Sequence, residues 1–385
     1  MADIVVYGAS GFTGRLVAEY LAETYPELDF AMAGRSLEKL EQVRGEMGIS
    51  SKISLVQADA TDPESLAAMA RGAKCVITTV GPYQLYGTPL VKACAEAGTD
   101  YCDLSGEPAW MYDTIAEFSD TAAESGARIV HSCGFDSVPF DMGVYFLQKA
   151  AKERFGQPCN RVRGRVRAAK GTYSGGTVAS LTHTLKRAAK EPEIIGRLKD
   201  PFSLAPGFTG PEQPAGDAPI YEDDLSSWSA PFIMASINTK NVHRSNHLLQ
   251  QAYGADFVYD EMMLTGDGER GEQMAMGAAA MMKQPFGENP PKPGEGPSLE
   301  ERESGFYDIL FVGETREGQT IRVGVSGKRD PGYGSTSRMI AECALTLTRE
   351  GLDTPGGIYT PAPAMGDALI KRLEDAGVMR FRVED

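Results

Sequence analysis

A chain of 385 residues, 42% of them hydrophobic and 24% charged, is too long for one compact core and has the make-up of a two-domain globular protein. Its formal net charge of −15 argues against nucleic acid as a partner, because phosphate backbones are bound by a basic surface. Nowhere do eighteen apolar residues run together, and no basic region with an apolar stretch opens the chain, so neither a transmembrane helix nor a signal peptide is expected.

The first fourteen residues organise the chain. Asp3, Ile4, Val5, Val6 and Tyr7 form a short β-branched run. Gly8, Ala9, Ser10, Gly11, Phe12, Thr13 and Gly14 come next, and Leu16, Val17, Tyr20 and Leu21 then fall at helical spacing. This predicts a strand, a glycine-rich turn and an amphipathic helix. Gly8 would turn the chain, Gly11 would let a pyrophosphate approach the backbone N–H groups, and Gly14 would let the helix pack on the sheet. The helix N-terminus then offers unpaired donors and the positive end of its dipole to a dinucleotide, with Ser10, Phe12 and Thr13 lining the same turn. A second strand over 29–33 ends in Gly34, Arg35 and Ser36, with Lys39 one turn further on. An acidic residue at that strand end suits a ribose 2′-hydroxyl, whereas an arginine suits a 2′-phosphate, so Arg35 points to NADP(H). The plainer alternative is a solvated arginine beside a Ser36 helix cap.

Alternation of strand and helix continues. Ile53–Gln57 is a third strand ending at Ala58, Asp59 and Ala60; Asp62 and Pro63 start a helix; Cys75–Val80 is a nearly all-apolar fourth strand. A helix over Pro89–Ala97, a strand over Tyr101–Leu104, a helix around Trp110–Ala123 and a strand over Arg128–Ser132 complete six strands of a doubly wound parallel sheet. Ligands bind such sheets at the carboxyl ends of the strands, which here carry Asp59, Gly81–Tyr83, Asp103–Glu107 and Cys133–Asp136.

After a helix over Val138–Arg154 the pattern changes to an α+β second domain with a mixed or antiparallel sheet. Arg161, Arg163, Arg165 and Arg167 alternate with small or apolar residues, so their guanidinium groups would share one strand face, either to hold an anion or simply as a solvated face. Proline-rich loops over 201–219 follow. A strand over Asp256–Leu264, a helix over Gly271–Met282, a hairpin pairing Phe306–Glu314 with Gln319–Ser326 and a helix over Ser335–Arg349 complete the reading. Residues 285–304, dense in Pro, Gly and Glu, read as a mobile loop. The expected organisation is a nucleotide-binding domain over 1–136, a second α+β domain over 137–333, and a C-terminal helical segment over 334–385. The six cysteines contain no C-x-x-C pair and look reduced, which fits a cytoplasmic protein.

The glycine turn, Ala33-Gly34-Arg35, Val80-Gly81-Pro82-Tyr83, Tyr101-Cys102-Asp103-Leu104-Ser105-Gly106-Glu107, Cys133-Gly134-Phe135-Asp136-Ser137-Val138-Pro139 and Gly171-Thr172-Tyr173-Ser174-Gly175-Gly176-Thr177 occur in this order. Together they resemble the saccharopine dehydrogenase-like oxidoreductases, and within them the trans-acting enoyl reductases. The resemblance implies a Rossmann domain, NADPH as hydride donor, a substrate and dimerisation domain over 137–333, and a C-terminal segment over 334–385 that returns to the first domain. The substrate expected is a small molecule or an acyl group, and an anion-holding arginine face would suit one presented by an acyl carrier or a lipid.

Hydride transfer needs a positioned nicotinamide, a polarised acceptor bond and a proton donor. Gly81 and Pro82 would pass close to the nicotinamide ribose. Tyr83 could supply the proton or pack as an aromatic, and Asp103, Glu107 and Asp136 could orient a donor, bind a cationic imine or cap helices. Ser132, Tyr145 and Lys149 also reproduce the serine plus Y-x-x-x-K spacing of short-chain dehydrogenases. His243 and His247 lie four apart with no third ligand signalled, so no metal is expected. Met274, Met276, Met281 and Met282 would line an apolar pocket or fill core. The leading reading is an NADPH-dependent enoyl reductase; a saccharopine-type imine reductase and a non-catalytic NADPH-binding scaffold or redox sensor are the alternatives.

Overall fold

The β-branched run at the N-terminus forms β1 (Ala2–Tyr7), and the computed structural model, which describes residues 1–171, 175–282 and 296–384, builds a parallel sheet around it. In chain order come α1 (Phe12–Thr24), β2 (Phe30–Gly34), α2 (Leu37–Glu46), β3 (Ser54–Gln57), α3 (Pro63–Arg71), β4 (Ala73–Thr78) and a one-turn helix, α4 (Tyr83–Tyr86). Then follow α5 (Thr88–Ala97), β5 (Asp100–Cys102), α6 (Pro108–Ser125), β6 (Arg128–Val130) and α7 (Val138–Phe155). The helix boundaries have local chemical causes. Asp62 accepts hydrogen bonds from the Glu64 and Ser65 amides and Pro63 opens α3 without a donor to satisfy, while Ser36 accepts from Lys39 N at the start of α2.

The second half contains β7 (Arg161–Lys170), α8 (Gly175–Ala188), α9 (Pro192–Lys199), β8 (Ile220–Glu222), β9 (Ser227–Pro231), α10 (Ala235–Leu248), β10 (Val258–Gly266) and α11 (Gly268–Met281). It continues with α12 (Leu299–Glu303), β11 (Phe306–Glu314), β12 (Thr320–Gly327), α13 (Thr336–Arg349), β13 (Gly357–Tyr359), α14 (Pro361–Asp375) and β14 (Arg380–Glu384).

The first sheet has the order β13-β6-β5-β4-β1-β2-β3 with every pair parallel, so it carries seven strands where six are expected from the sequence. The extra strand, β13, comes from the C-terminal segment, whose pattern predicts helix alone. That segment also supplies β14 to the second sheet, where it pairs antiparallel with β12. The second sheet, β14-β12-β11-β7-β10-β9-β8, is mixed, with β7 and β10 parallel and the other pairs antiparallel. The expected hairpin forms, β11 pairing antiparallel with β12 and Glu314 standing opposite Thr320. Of the stretch expected to be a mobile loop, residues 299–303 are helical, held by a Ser298–Glu301 capping box; residues 283–295 lie outside the described residues.

One hydrophobic core lies under α1, α2 and α13 and runs through α7 to the inner face of the second sheet. The opposite face of the first sheet packs on α3, α5 and α6. The two sheets are stitched together by α10, a buried helix made largely of polar residues. Asn238 bridges Ser137 to Glu261, Ser245 reaches Asp141 and Thr360, and Arg244 donates to the carbonyls of Leu204 and Ile358. Every one of these groups would be costly to bury alone, so the pairing fixes a single arrangement of the elements around the site.

Candidate functional site

The turn after β1 is shaped as the dinucleotide reading requires. Gly8 sits at φ +90°, and a Cβ at Gly14 would lie 2.2 Å from the Gly8 carbonyl oxygen, inside the closest contact any side chain could make. Helix α1 therefore rests directly on the turn. Its N-cap is Gly11, extended at φ −83° and ψ 169°, with no side chain to satisfy the first-turn amides. Those N–H groups, with Ser10, Phe12 and Thr13 around them, are left for an anion.

At the adenosine end Arg35, Ser36 and Lys39 are all exposed at the end of β2 and the start of α2. Neither Arg35 nor Lys39 is ion-paired among the described residues, so both charges are free for a 2′-phosphate. Ser36 also caps α2, as the plainer reading held. Asp59, at the end of β3, is drawn back on itself. The Thr61 amide and hydroxyl bind its carboxylate and hold it below the usual range, with the Arg35 charge adding to the effect. Ala60 lies beside it, and both are partly exposed.

The rim over β4, β5 and β6 separates the remaining candidates. Gly81 is exposed and joined to Pro82 by a cis peptide. Tyr83 turns inward. Its hydroxyl donates to the Thr78 carbonyl at 3.2 Å and accepts from Leu104 N at 3.0 Å, and its ring stacks on Trp110. Burial, followed by the charge of Asp103, holds that hydroxyl far above its ordinary pKa. The structure thus makes Tyr83 a strut between β4 and the β5 loop, not a group facing substrate. Asp103 is fully buried, with Oδ2 accepting from His131 Nδ1 at 2.7 Å and Tyr101 Oη at 3.0 Å, and Oδ1 accepting the amides of Ser105 and Ser132 at 2.9 Å. All its acceptor capacity is spent on tying the β5 loop to the β6 loop, so it positions and does not react. Glu107 caps a helix as expected, though not its own: its oxygens accept the Tyr83 and Gln84 amides of α4 and the Ser180 hydroxyl of α8.

Asp136 differs from its neighbours. It lies in the turn between β6 and α7, partly exposed, with no hydrogen bond or ion pair among the described residues, and burial of the carboxyl pushes its pKa up to about 7. The turn is anchored on both sides, since Phe135 N donates to Thr336 Oγ1 of α13 and the Phe135 ring packs 5.1 Å from Tyr307 of β11. Asp136 therefore stands where the two sheets meet, beyond the carboxyl ends of the parallel strands.

Other candidates resolve differently. Ser132 is buried and donates to the Ser105 carbonyl, while Lys149 pairs with Asp367 at 2.7 Å, so the short-chain dehydrogenase spacing is not assembled into a site. The arginine stripe is neither solvated nor free for an anion. Arg161 pairs with Asp260, Arg163 with Glu222 and Asp224, Arg165 with Glu222 and Asp260, and Arg167 with Asp308 and Glu384. A hollow of about 570 Å³ above it is lined by three of these arginines and five acids, Asp217, Glu222, Asp223, Asp224 and Asp260, which leaves it unsuited to anions. His243 bonds Gln213 at 3.1 Å and is held near pKa 3 by burial, then by Lys240. Met274, Met276, Met281 and Met282 face solvent, so they neither fill core nor line a pocket. The motif around Thr172–Ser174 lies outside the described residues. Sequence reasoning misses His131, because a single histidine after a strand carries no signal until the fold brings Asp103 to it.

A doubly wound sheet with a glycine turn, a bare helix N-terminus and unpaired cations at the next strand end has the parts of an NADP-dependent oxidoreductase. The profile of the saccharopine dehydrogenase NADP binding domain matches residues 4–130, and NADP(H) is the cofactor. A Mycobacterium tuberculosis protein provisionally named a trans-acting enoyl reductase is 43% identical over 98% of this chain and 96% of its own. Trans-acting enoyl reductases of Mycobacterium bovis and Mycobacterium ulcerans are 38% and 36% identical, again covering 98% of this chain and 96% of theirs. The chain belongs to this family of saccharopine dehydrogenase-like oxidoreductases. Saccharopine dehydrogenase (L-Glu forming) from Saccharomyces cerevisiae superposes over 100% of both chains at a TM-score of 0.55 and 12% identity, which shows a shared fold. No helix among the described residues is long and apolar enough to cross a membrane.

Proposed function

We propose that the protein reduces the C=C bond of an enoyl substrate, with Asp136 as the proton donor. When bound, NADPH supplies hydride to the β-carbon. The chain's part is to hold the cofactor on the α1 turn, to seat the substrate between the two sheets, and to deliver a proton from the Asp136 carboxyl to the α-carbon. Asp103 and Tyr83 act at one remove, by fixing the loops that carry Gly81 and Asp136. The observation that carries the reading is Asp136 itself: a carboxyl kept half-protonated near neutrality, with no partner among the described residues, on the rim where the acceptor bond must lie. The names borne by its relatives support C=C reduction over C=N reduction. The neutralised arginine stripe also removes the cationic surface that a dicarboxylate imine would call for.

The reading extends to a small-molecule or acyl substrate presented by an acyl carrier or a lipid, to a cytoplasmic location, which six buried free cysteines favour, and to a homodimer, as the family resemblance implies. The test is NADPH oxidation against enoyl thioesters and cyclic imines. Turnover of thioesters should fall as pH rises through about 7, and Asp136→Asn should lower kcat by about 10²–10⁴-fold while leaving NADPH affinity intact. Turnover of imines alone would sink the enoyl reading, and an unchanged pH profile in Asp136→Asn would remove its role.

A further inference from the structure

Every arginine of the β7 stripe has an acid partner, whereas three others have a single ion pair between them among the described residues. Arg302 on α12, Arg329 after β12 and Arg338 on α13 gather beside helix α1. The Arg302 guanidinium lies 5.8 Å over the Phe12 ring and that of Arg338 lies 5.1 Å over Tyr20. Burial, and then the charges of Arg338 and Arg302, pull the Arg329 guanidinium below its ordinary range. Burial lowers Arg338 as well, with Tyr20, Glu23 and Glu19 partly offsetting it.

Among the described residues a single ion pair answers these three charges. Arg329 pairs with Glu303, but Arg338 makes no hydrogen bond or ion pair among the described residues, and Arg302 Nε is buried without a partner. An unsatisfied guanidinium N–H costs as much as any buried polar group. Three like charges held together in a chain of net charge −15 are therefore expected to serve an anion that is not part of the chain.

Position narrows the ligand. Phe12 is the first residue of α1, and its ring packs 4.7 Å from Tyr333, in the turn leading into α13. The cluster thus lies beside the contact between α1 and α13, with Arg302 over the first residue of α1 and Arg338 over Tyr20 two turns further on. At the other end of the same site, Arg35 and Lys39 already account for the 2′-phosphate. We infer that Arg302, Arg329 and Arg338 form a binding site for a phosphate ester on the handle of the substrate, as in an acyl chain carried on phosphopantetheine. Guanidinium forks suit phosphate oxygens in pairs, and the aromatic rings of Phe12 and Tyr20 hold the forks in place meanwhile. The acyl part of the handle rests on the enoyl reading; the phosphate does not.

The experiment separates the two. Binding of 4′-phosphopantetheine, pantetheine and inorganic phosphate to the NADPH-loaded protein is measured by calorimetry, with no turnover required. Phosphopantetheine should bind at least about tenfold more tightly than either of the others. Arg338→Gln and Arg302→Gln should each erase about tenfold of that affinity, with NADPH affinity and thermal melting unchanged, and Arg338→Lys should restore part of it. Equal binding of phosphopantetheine and pantetheine would overturn the inference. So would inorganic phosphate binding as tightly as phosphopantetheine, which would mark a free-phosphate site, or a parallel loss of NADPH affinity in the variants, which would assign the arginines to the cofactor. Tight phosphopantetheine binding without reduction of any enoyl thioester would uphold the phosphate site and discard the enoyl reading alone.

Discussion

Replacing Arg35 by alanine isolates the choice between NADPH and NADH. The side chain stands exposed at the end of β2 with no hydrogen bond or ion pair among the described residues, so its removal takes away only its charge near Asp59 and should leave the fold intact. A guanidinium–phosphate contact is charge-assisted, and such bonds contribute about 1.5–3 kcal/mol each. Solvent exposure puts this one at the lower part of the range, and about 1.5–2 kcal/mol corresponds to roughly 10- to 30-fold in affinity. Lys39, a single flexible ammonium one turn on, should contribute less, about three- to fivefold when removed. A fluorescence titration of Arg35→Ala should therefore show NADPH binding weakened about tenfold or more and NADH binding changed less than about twofold. The loss should shrink as salt is raised, because the lost attraction is between exposed charges. Equal weakening of both cofactors would refute the argument, since only one of them carries the 2′-phosphate.

Three further outcomes concern the buried groups. Asp103→Asn should cost about 2–4 kcal/mol in urea unfolding, because His131, Tyr101 and two loop amides lose a charged acceptor, and a cost below about 1 kcal/mol would show that the network does not hold the β5 and β6 loops. Arg165→Ala takes one of two arginine partners from each of Glu222 and Asp260, both buried, and should cost about 1.5–3 kcal/mol while NADPH affinity is unchanged; a loss of cofactor affinity in a stably folded variant would mean that the stripe serves the site after all. Glu261, buried and bonded to Asn238 and Tyr259, has its pKa raised to about 8, chiefly by burial. A carboxyl with a raised folded-state pKa contributes stability that is whole below its unfolded pKa near about 4 and is lost as pH climbs to about 8. The melting temperature should thus fall between about pH 5 and 8, and Glu261→Gln should flatten part of that slope, whereas an identical slope in the variant would place the pH dependence elsewhere, for instance in Asp136 or Asp141.

Local pattern sufficed for the groups whose role is played by backbone. The Gly8–Gly14 turn, the strand and helix on either side of it, and the exposure of Arg35 and Lys39 at the next strand end are set by short elements, so short-range spacing carries the information. The hairpin over 306–327 and helix α13 were legible for the same reason, since an alternating or helical apolar pattern names its own element. By contrast β13, three residues long, is a strand only because the edge of β6 is there to receive it, and β14 only because β12 is.

The chemistry of the rim belongs to that second kind. Tyr83, Asp103, Glu107 and Asp136 look alike in sequence, each a polar group after an apolar strand. What separates them is whether distant segments meet them. His131, Tyr101 and two amides saturate Asp103, the α4 amides and Ser180 saturate Glu107, backbone groups of β4 and the β5 loop saturate Tyr83, and none of the described residues bonds Asp136. The same holds for the arginines: the stripe on β7 is neutralised by acids brought from β8, β10, β11 and β14, while Arg302, Arg329 and Arg338 converge from three segments with one ion pair between them among the described residues. Sequence alone determined the fold class, the cofactor and its phosphate preference, because backbone geometry and strand-end residues are local. Which carboxyl keeps its proton, and which guanidinium groups stay unanswered, is a matter of desolvation and partner count, and these exist only once the chain has folded.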